Sequence, residues 1–201
     1  MHHLAKVSLT LILAASLTAP VLSAAKKDYF TEDELDLIRD AQELSARVPT
    51  YFKLAERRLI FLGLMEKSPQ QIEKERKEKE KREKEQKKGV ETRATSNKAP
   101  IDDTSYLDNF TPAELLRGYT QALEEVTTNI DDAYSRKLDV RDSLEDLAKF
   151  IRDTLPLVEK FKPKNDSERL ALQDAIDKAK QTAADTKEAL NIVPKTEKKR
   201  K

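Results

Sequence analysis

The sequence contains no cysteine and no tryptophan, and its only two histidines are His2 and His3. Without cysteine the protein can form no disulfide bond, so its fold must be held by packing. The usual zinc sites need cysteine or histidine ligands, and a serine or cysteine nucleophile normally needs a histidine base. Both histidines lie in a segment that we expect to be removed, as explained below. The sequence therefore predicts a protein that is not an enzyme and has no cofactor and no metal site.

Glycine is almost as scarce. The three glycines, Gly63, Gly89 and Gly118, stand alone in the sequence, so no glycine-rich phosphate-binding loop is present. Paired carboxylates, as used in glycoside hydrolysis, are the catalytic arrangement that the composition still allows. The acidic residues that could supply such a pair are Asp102, Asp103, Asp131, Asp132, Asp139, Asp142 and Asp146. Because most of them fall outside the apolar pattern of the helices, we interpret them as a solvated helix face and assign no catalytic residue.

Residues 1–25 have the three parts of a secretory signal. A short head carries one cation, Lys6, an apolar stretch of 13 residues covers 7–19, and small residues follow. Spanning a bilayer takes about 20 apolar residues, so a cleaved signal is favoured over a membrane anchor. We expect cleavage after Ala24 or Ala25 and an exported protein, periplasmic or extracellular, that contacts the membrane only through the uncleaved signal.

The charge balance changes slightly when this signal is removed. Cleavage takes away Lys6, one of the 38 basic residues, and none of the 37 acidic ones, so the remaining chain is formally neutral. Bulk electrostatics therefore give no reason to expect a specific nucleic-acid partner. Charged residues make up 37% of the chain and aromatic residues 5%. Few glycines and evenly mixed charges favour helix over sheet.

Residues 26–66 are predicted to form the first bundle helix. It opens with a capping box, in which Thr31 and Glu34 each accept a hydrogen bond from the other's backbone N–H. Apolar residues then recur at helical spacing along a broad face. They are Leu37, Ile38, Ala41, Leu44, Val48, Tyr51, Phe52, Leu54, Ala55, Leu59, Phe61, Leu62 and Met65. Pro49 cannot donate a backbone hydrogen bond, so we expect a kink or a break into two helices there.

Tyr51, Arg57 and Arg58 form the densest cluster of aromatic and arginine residues in the sequence. Tyrosine and arginine are enriched at interfaces. We interpret the two arginines instead as part of a structural helix face. In that interpretation their aliphatic stems lie on apolar surface and their charged ends reach solvent.

Residues 67–110 are predicted to be a charged spacer and a mobile linker. Residues 73–88 are nearly all charged, and glutamate repeatedly precedes lysine or arginine by four residues, as in Glu73 and Lys77. Each such pair stabilises an isolated helix by about 0.2–0.5 kcal/mol. The composition predicts a solvated helical extension followed by a loop. The alternative is an arm that binds anionic polymers together with the basic, disordered tail at residues 194–201.

Residues 111–193 are predicted to form a helical hairpin or bundle, which begins with a second capping box at Thr111 and Glu114. Apolar residues then alternate three and four residues apart, as in coiled coils. The positions of this register are Leu116, Tyr119, Leu123, Val126, Ile130, Ala133, Lys137, Val140, Leu144, Leu147, Ile151, Thr154, Val158 and Phe161. The unbroken register favours one long helix over residues 112–155. The alternative is two helices separated by a turn near Lys137.

The last predicted helix covers residues 167–191. Its inward row is predicted to be Leu172, Ile176, Ala179, Ala183, Thr186, Leu190 and Val193. The small residues in the middle of that row would allow a neighbouring helix to approach closely.

Together these features predict an all-α protein, an elongated antiparallel bundle of three to four long helices with a charged helical or disordered spacer. The function that we expect is that of an exported, non-enzymatic interaction or structural component of the cell envelope or periplasm. Its partner would be another protein or a second copy, held along grooves between helices. The alternatives are a binder of anionic polymer through residues 73–88 and the tail, and, least favoured, a carboxylate-dependent hydrolase.

Overall fold

The computed structural model describes residues 28–67, 72–73, 76–77 and 105–194. Every regular element in these ranges is a helix. The elements are α1 (Glu32–Asp40), α2 (Leu44–Phe61), a short 3-10 helix (Ser105–Asn109), α3 (Pro112–Ser135), α4 (Arg141–Val158) and α5 (Asp166–Ile192). The all-α prediction is confirmed. The helices are 9 to 27 residues long, and several are too short for a bundle made of long helices alone.

Several predicted segments lie outside these ranges. The signal at residues 1–25, most of the charged spacer and linker, and the basic tail beyond Pro194 are among them. Within the spacer, Lys77 and Glu73 are helical and form the predicted four-residue ion pair, with a Nζ to Oε1 distance of 2.9 Å. In the part of the chain that the structure describes, no helix is long and apolar enough to cross a membrane.

Both predicted capping boxes are present. The backbone N–H of Thr31 donates to a Glu34 carboxylate oxygen at 3.0 Å, and the Glu34 N–H donates to the Thr31 hydroxyl at 3.3 Å. Thr111 and Glu114 make the same two bonds at 3.0 and 3.3 Å. The first helical position after Thr111 is a proline, whose missing donor costs nothing there. These caps satisfy N–H groups that a helix start leaves without partners, so they set where α1 and α3 begin.

Helix α3 lies at the centre of the packing, between α2 and α5, and α4 packs on α5 and α2. The predicted register of α3 and α4 is confirmed at almost every position. Its buried members are Leu116, Tyr119, Leu123, Val126, Ile130, Ala133, Val140, Leu144, Leu147, Ile151, Thr154 and Val158. Phe52 of α2 stacks on Phe150 of α4, with ring centroids 4.4 Å apart. One continuous apolar core therefore joins the helices.

The favoured prediction of one long helix over residues 112–155 is wrong, because the chain turns at Lys137. The N–H of Leu138 reaches back to the carbonyl of Ala133 at 3.0 Å, which is the six-residue closure of a Schellman motif. Lys137 occupies the left-handed position of this motif, with φ of 61°. Val140 then returns to the buried stripe. Since the turn restores the register, the apolar pattern alone does not reveal it.

The first predicted helix is broken into two, but not at Pro49. The break falls at residues 41–43, and Pro49 lies inside α2. Arg47 stabilises the break, because its Nε donates to the carbonyl of Ala41 at 2.8 Å. The proline therefore does not decide where the helix is interrupted.

Helix α5 begins and ends within one residue of the prediction, but it is rotated relative to the predicted inward row. The fully covered row consists of Ala171, Ala175, Ala179, Thr182 and Thr186. Larger residues such as Leu172 and Ile176 are only partly buried and flank that row. The predicted close packing of α5 through small residues is therefore present, and alanines lie at its centre. Helix α5 packs against both α3 and α4 along this row.

The turn at Lys137 makes a testable prediction. A residue with a Cβ is strained at positive φ by about 1–2 kcal/mol, whereas glycine is not. We expect Lys137→Gly to raise the free energy of unfolding by about 1 kcal/mol, measured by urea denaturation followed by circular dichroism. Lys137→Ala is the matched control, since it removes the charge but keeps the Cβ. Equal stability of the glycine and alanine variants would contradict the assignment of the motif.

Candidate functional site

A buried polar cluster lies where α1, α2 and the 3-10 helix meet. Its centre is Glu34, which is 1% exposed although it sits in the first turn of α1. The capping box already draws one carboxylate oxygen to the Thr31 N–H. The rest of the carboxylate points to Arg58 of α2.

Arg58 and Glu34 form a two-pronged ion pair. The Nη2 of Arg58 lies 2.7 Å from Oε2 of Glu34, and Nη1 lies 2.9 Å from Oε1. The same guanidinium donates to the carbonyls of Tyr29 at 2.7 Å and Leu54 at 2.8 Å. Its carbon also lies 5.1 Å from the centre of the Phe30 ring, within range of a cation–π contact. Arg58 thereby connects the segment before α1 to α2.

Space for Arg58 is provided by Gly118 of α3. A Cβ placed on Gly118 would lie 2.2 Å from the Nε of Arg58 and 2.9 Å from its Cδ. Atoms of real side chains do not approach so closely, so only glycine fits against this guanidinium. The helix α3 therefore carries a residue of poor helix propensity for a packing reason.

Tyr106 and Arg57 extend the cluster toward the 3-10 helix. Arg57 Nη1 donates to the Tyr106 hydroxyl at 3.1 Å, and that hydroxyl donates to Oε1 of Glu34 at 2.7 Å. Burial and the neighbouring Glu34 carboxylate raise the pKa of Tyr106, so its phenol stays protonated. In this series of hydrogen bonds the Arg57 donor polarises the Tyr106 hydroxyl, which strengthens the bond from that hydroxyl to the Glu34 carboxylate.

The prediction that Arg57 and Arg58 extend their charged ends to solvent is wrong. Arg57 is 4% exposed and Arg58 is fully buried, so both are part of the interior. Arg58 in fact continues the apolar row of Tyr51 and Leu54 at helical spacing, and this was the signal available in the sequence. Its partner Glu34 gave no such signal, because an acid in a capping box is usually solvated.

The Glu34 carboxylate is fully hydrogen-bonded, which limits its chemistry, whereas Arg57 Nη2 and Arg58 Nε are buried without a hydrogen-bond partner among the described residues. Both oxygens of Glu34 accept hydrogen bonds, and the donors are themselves held by other groups. A buried carboxylate in this state has no accessible lone pair for proton transfer or for a ligand. The arrangement fits the role of a clamp that holds residues 28–40 against α2 and α3.

Of the acids singled out in the sequence, those that the structure describes are not brought together as a site. Asp131, Asp132, Asp139, Asp142 and Asp146 are all exposed, and Asp102 and Asp103 lie outside the described residues. Within residues 28–67 and 105–194, no three acidic side chains gather in a way that could hold a metal ion. The structure therefore gives the five described carboxylates a solvated position.

A surface groove lies between the α3–α4 turn and the end of α5. It encloses about 650 Å³ and is lined by Tyr134, Ser135, Lys137, Leu138, Asp139, Val140, Val193 and Pro194. Tyr134 is 53% exposed and Leu138 52%, so two large apolar side chains of the lining are open to solvent. We call this the end groove. The sequence did not reveal it, since it is formed by residues far apart in the chain.

Arg141 fixes one wall of the end groove. Its Nη1 donates to the carbonyls of Leu190 at 2.7 Å and Val193 at 2.8 Å, at the end of α5. Its Nε also contacts Glu145 at 2.7 Å. A cation at a helix C-terminus satisfies carbonyls that lack partners, so the end of α5 is held in place.

The buried ion pair between Arg58 and Glu34 predicts a large loss of stability when Arg58 is replaced. Arg58→Met would leave the Glu34 charge buried without its counter-ion, and we expect the free energy of unfolding to fall by about 3–5 kcal/mol. Arg136→Met is the control, because it removes an exposed ion pair with Asp132 that is worth less than about 1 kcal/mol. Urea denaturation of both variants measures the difference. Equal losses of stability in the two variants would show that the buried ion pair contributes no more than the exposed one.

Gly118 supports a second prediction, which concerns whether an added methyl group raises or lowers the free energy of unfolding. In an ordinary helix Gly→Ala stabilises by about 1 kcal/mol. At residue 118 the added methyl group would collide with Arg58, so we expect Gly118→Ala to destabilise by about 2 kcal/mol instead. Thermal and urea unfolding would report the sign directly, and a more stable variant would refute the packing argument.

Buried tyrosines predict a loss of stability at alkaline pH. Burial raises the pKa of Tyr51 and of Tyr119 to about 12. An unfolded tyrosine ionises near pH 10, so between pH 10 and 12 the unfolded state releases protons that the folded state retains. Stability should therefore fall as the pH rises through this window. The Tyr119→Phe variant should show a shallower fall in alkaline denaturation, and an unchanged slope would count against the assignment.

Comparison of the chain with protein families, with curated proteins and with solved structures finds no match. The function is therefore argued from the two features described above. These are the buried polar cluster around Glu34 and the exposed end groove.

Proposed function

We propose that the protein is an exported, non-enzymatic component of the cell envelope or periplasm that acts by binding another protein. The observation that carries this proposal is the end groove, whose apolar residues Tyr134 and Leu138 are more than half exposed. Exposed apolar residues gathered around a concave surface mark interaction sites. Export is supported only by the composition of residues 1–25.

The proposed architecture is an elongated antiparallel bundle, and several contacts support it. Arg47, near the start of α2, donates to Asn129, near the end of α3, at 3.1 Å. Arg141 begins α4 and binds the carbonyl of Leu190 near the end of α5. Each pair joins the start of one helix to the end of another, as antiparallel neighbours do. Such a bundle presents its turns and helix ends as surfaces for partners.

A hydrolytic function receives no support from the described residues. The buried carboxylates there are Glu34 and Glu168. Glu168 accepts bonds from the Lys164 N–H at 2.7 Å and the Asn165 amide at 2.8 Å, so it serves the start of α5. Both acids are used in capping the helices. Binding of anionic polymer is also less favoured, because Lys77 of the spacer already pairs with Glu73.

The proposed export has a direct measurement. Mass spectrometry of the protein recovered from the envelope or medium should show an N-terminus at Ala25 or Lys26, because small residues precede the expected cleavage sites. A change of Ala24 and Ala25 to bulky residues should leave the precursor unprocessed. Recovery of only a chain that retains Met1, inside the cell, would overturn the proposed location.

The interaction role is tested by site-specific cross-linking. A photoreactive residue placed at Leu138 should give a discrete cross-linked protein in cells, whereas one at Leu170, which is 60% exposed on α5 away from the groove, should not. The cross-linked protein would be identified and the contact repeated with both purified proteins. The proposed role fails if no position on the surface, including Leu138, gives a cross-linked partner.

A further inference from the structure

We propose that residues 28–40, which we call the N-terminal strap, dock on a second copy of the chain at high protein concentration, so that two copies form a dimer by exchanging straps. The strap is held by specific contacts, and a short hinge whose sequence favours helix joins it to α2. A straight hinge separates the strap from its site in the same copy and presents it to the site of another. This inference uses a different surface from the end groove and does not rest on the proposed function.

The contacts of the N-terminal strap lie at the end farthest from the hinge. Phe30 and Glu34 are its buried residues, and Glu34 forms the two-pronged ion pair with Arg58 of α2. The N–H of Tyr29 donates to Oε1 of Gln121 in α3 at 2.9 Å. These contacts specify the sequence of the strap. A strap from a second copy satisfies them equally well, because it carries the same residues.

The hinge between α1 and α2 has the composition of a helix. It consists of Ala41, Gln42 and Glu43, residue types of the kind that helices accept readily, and contains neither glycine nor proline. Apolar residues also continue through it at helical spacing, at Ile38, Ala41 and Leu44. The local sequence therefore favours one continuous helix, and the docking of the strap imposes the observed break.

The start of α2 is also weakly encoded. Thr31, Thr111 and Asn165 cap α1, α3 and α5, whereas no side chain among the described residues caps α2. In the closed hinge the carbonyl of Ala41 accepts from the side chain of Arg47 at 2.8 Å. In a continuous helix the first N–H groups of α2 would pair with carbonyls of the preceding turn. Straightening the hinge thus gains backbone hydrogen bonds.

A straight hinge makes the ion pair impossible within one copy. Glu34 and Arg58 are 24 residues apart, which in a continuous helix corresponds to about 36 Å along the axis. Two side chains cannot bridge that distance. Removing one partner of such a pair is strongly destabilising, so an opened strap leaves a site that requires a carboxylate. Glu34 of a second copy supplies it in the same surroundings, and the exchange is reciprocal because both copies present the same site.

Protein concentration decides between the two forms. The closed and exchanged forms make the same docked contacts and differ at the hinge, as in other domain-swapped proteins. A short flexible connection gives a segment an effective concentration in the millimolar range at its own site. Because the hinge prefers helix to the closed turn, we expect exchange from about 0.1 mM protein upward.

The test distinguishes contacts within one copy from contacts between copies. Protein with a photoreactive leucine analogue at Leu35, which packs against the core, is prepared both with ordinary and with heavy nitrogen. Equal amounts are mixed, held in urea just below the unfolding midpoint so that straps open, returned to buffer and irradiated. Mass spectrometry then identifies cross-linked peptides that join the strap to α2. At about 1 mM protein we expect mixed-isotope pairs to approach about half of these cross-links, and at about 10 μM to fall below about a tenth.

A proline at the hinge separates its two conformations. Glu43 has φ of −80° in the closed form, which proline adopts, whereas in a continuous helix proline removes a hydrogen bond and collides with the preceding turn. We expect Glu43→Pro to lower the dimerisation constant at least about a hundredfold, measured by analytical ultracentrifugation. Asp166→Pro is the matched control, because it places a proline at the first position of α5, where proline is tolerated. It should leave dimerisation unchanged, and circular dichroism establishes that both variants remain helical.

Three outcomes would overturn the proposal. The first is a strap that cross-links to its own copy at every concentration up to about 1 mM, and the second is a dimer that Glu43→Pro leaves as stable as before. The third is a dimer in which the strap cross-links stay within one copy, which would assign self-association to another surface. If Glu43→Pro does not fold, the isotope experiment decides, because it uses the unaltered hinge. Since these experiments do not involve Leu138, the proposed function stands or falls separately.

Discussion

The ion pair between Glu34 and Arg58 is the interaction on which the rest of the fold depends. One carboxylate begins helix α1 through its capping box and also neutralises a guanidinium in the interior. Because an unpaired charge in this environment is far more costly than an unpaired charge in water, the two residues must be buried together or not at all. The pair therefore joins the formation of α1 to its docking on α2. Gly118 extends the same requirement to α3 by leaving space for the guanidinium.

The two ends of the described structure differ in character. At one end, the Glu34 carboxylate is buried and fully hydrogen-bonded by its neighbours, so it offers no free acceptor to a ligand. At the other, the turn at Lys137 and the end of α5 leave apolar side chains exposed around a concave surface. The difference arises because neighbouring helices cover the buried cluster, whereas the turn has no further element to cover it among the described residues. This contrast is the reason why we propose the end groove as the interaction surface.

Prediction from the sequence succeeded where the cause is local. Capping boxes at Thr31 and Thr111 depend on residues three positions apart, and the buried stripe of α3 and α4 depends on spacing within a helix. It failed at Lys137, because a Schellman turn with a non-glycine residue leaves the apolar register unchanged. It also failed at Arg58, whose charged end is predicted to reach solvent and is in fact buried. The partner that makes its burial tolerable is 24 residues away and has no recognisable spacing to it.

By itself the sequence determined the helical class, the helix starts and the apolar stripes, since these follow from hydrogen bonds and spacing over a few residues. Tertiary structure decided which charges are buried, which face of α5 turns inward and where apolar side chains remain exposed. Those outcomes depend on contacts between residues distant in the chain, such as Arg141 with Val193, and on how much space each neighbour leaves. Short-range patterns carry no information about such distances. The end groove is therefore formed only when the helices are packed.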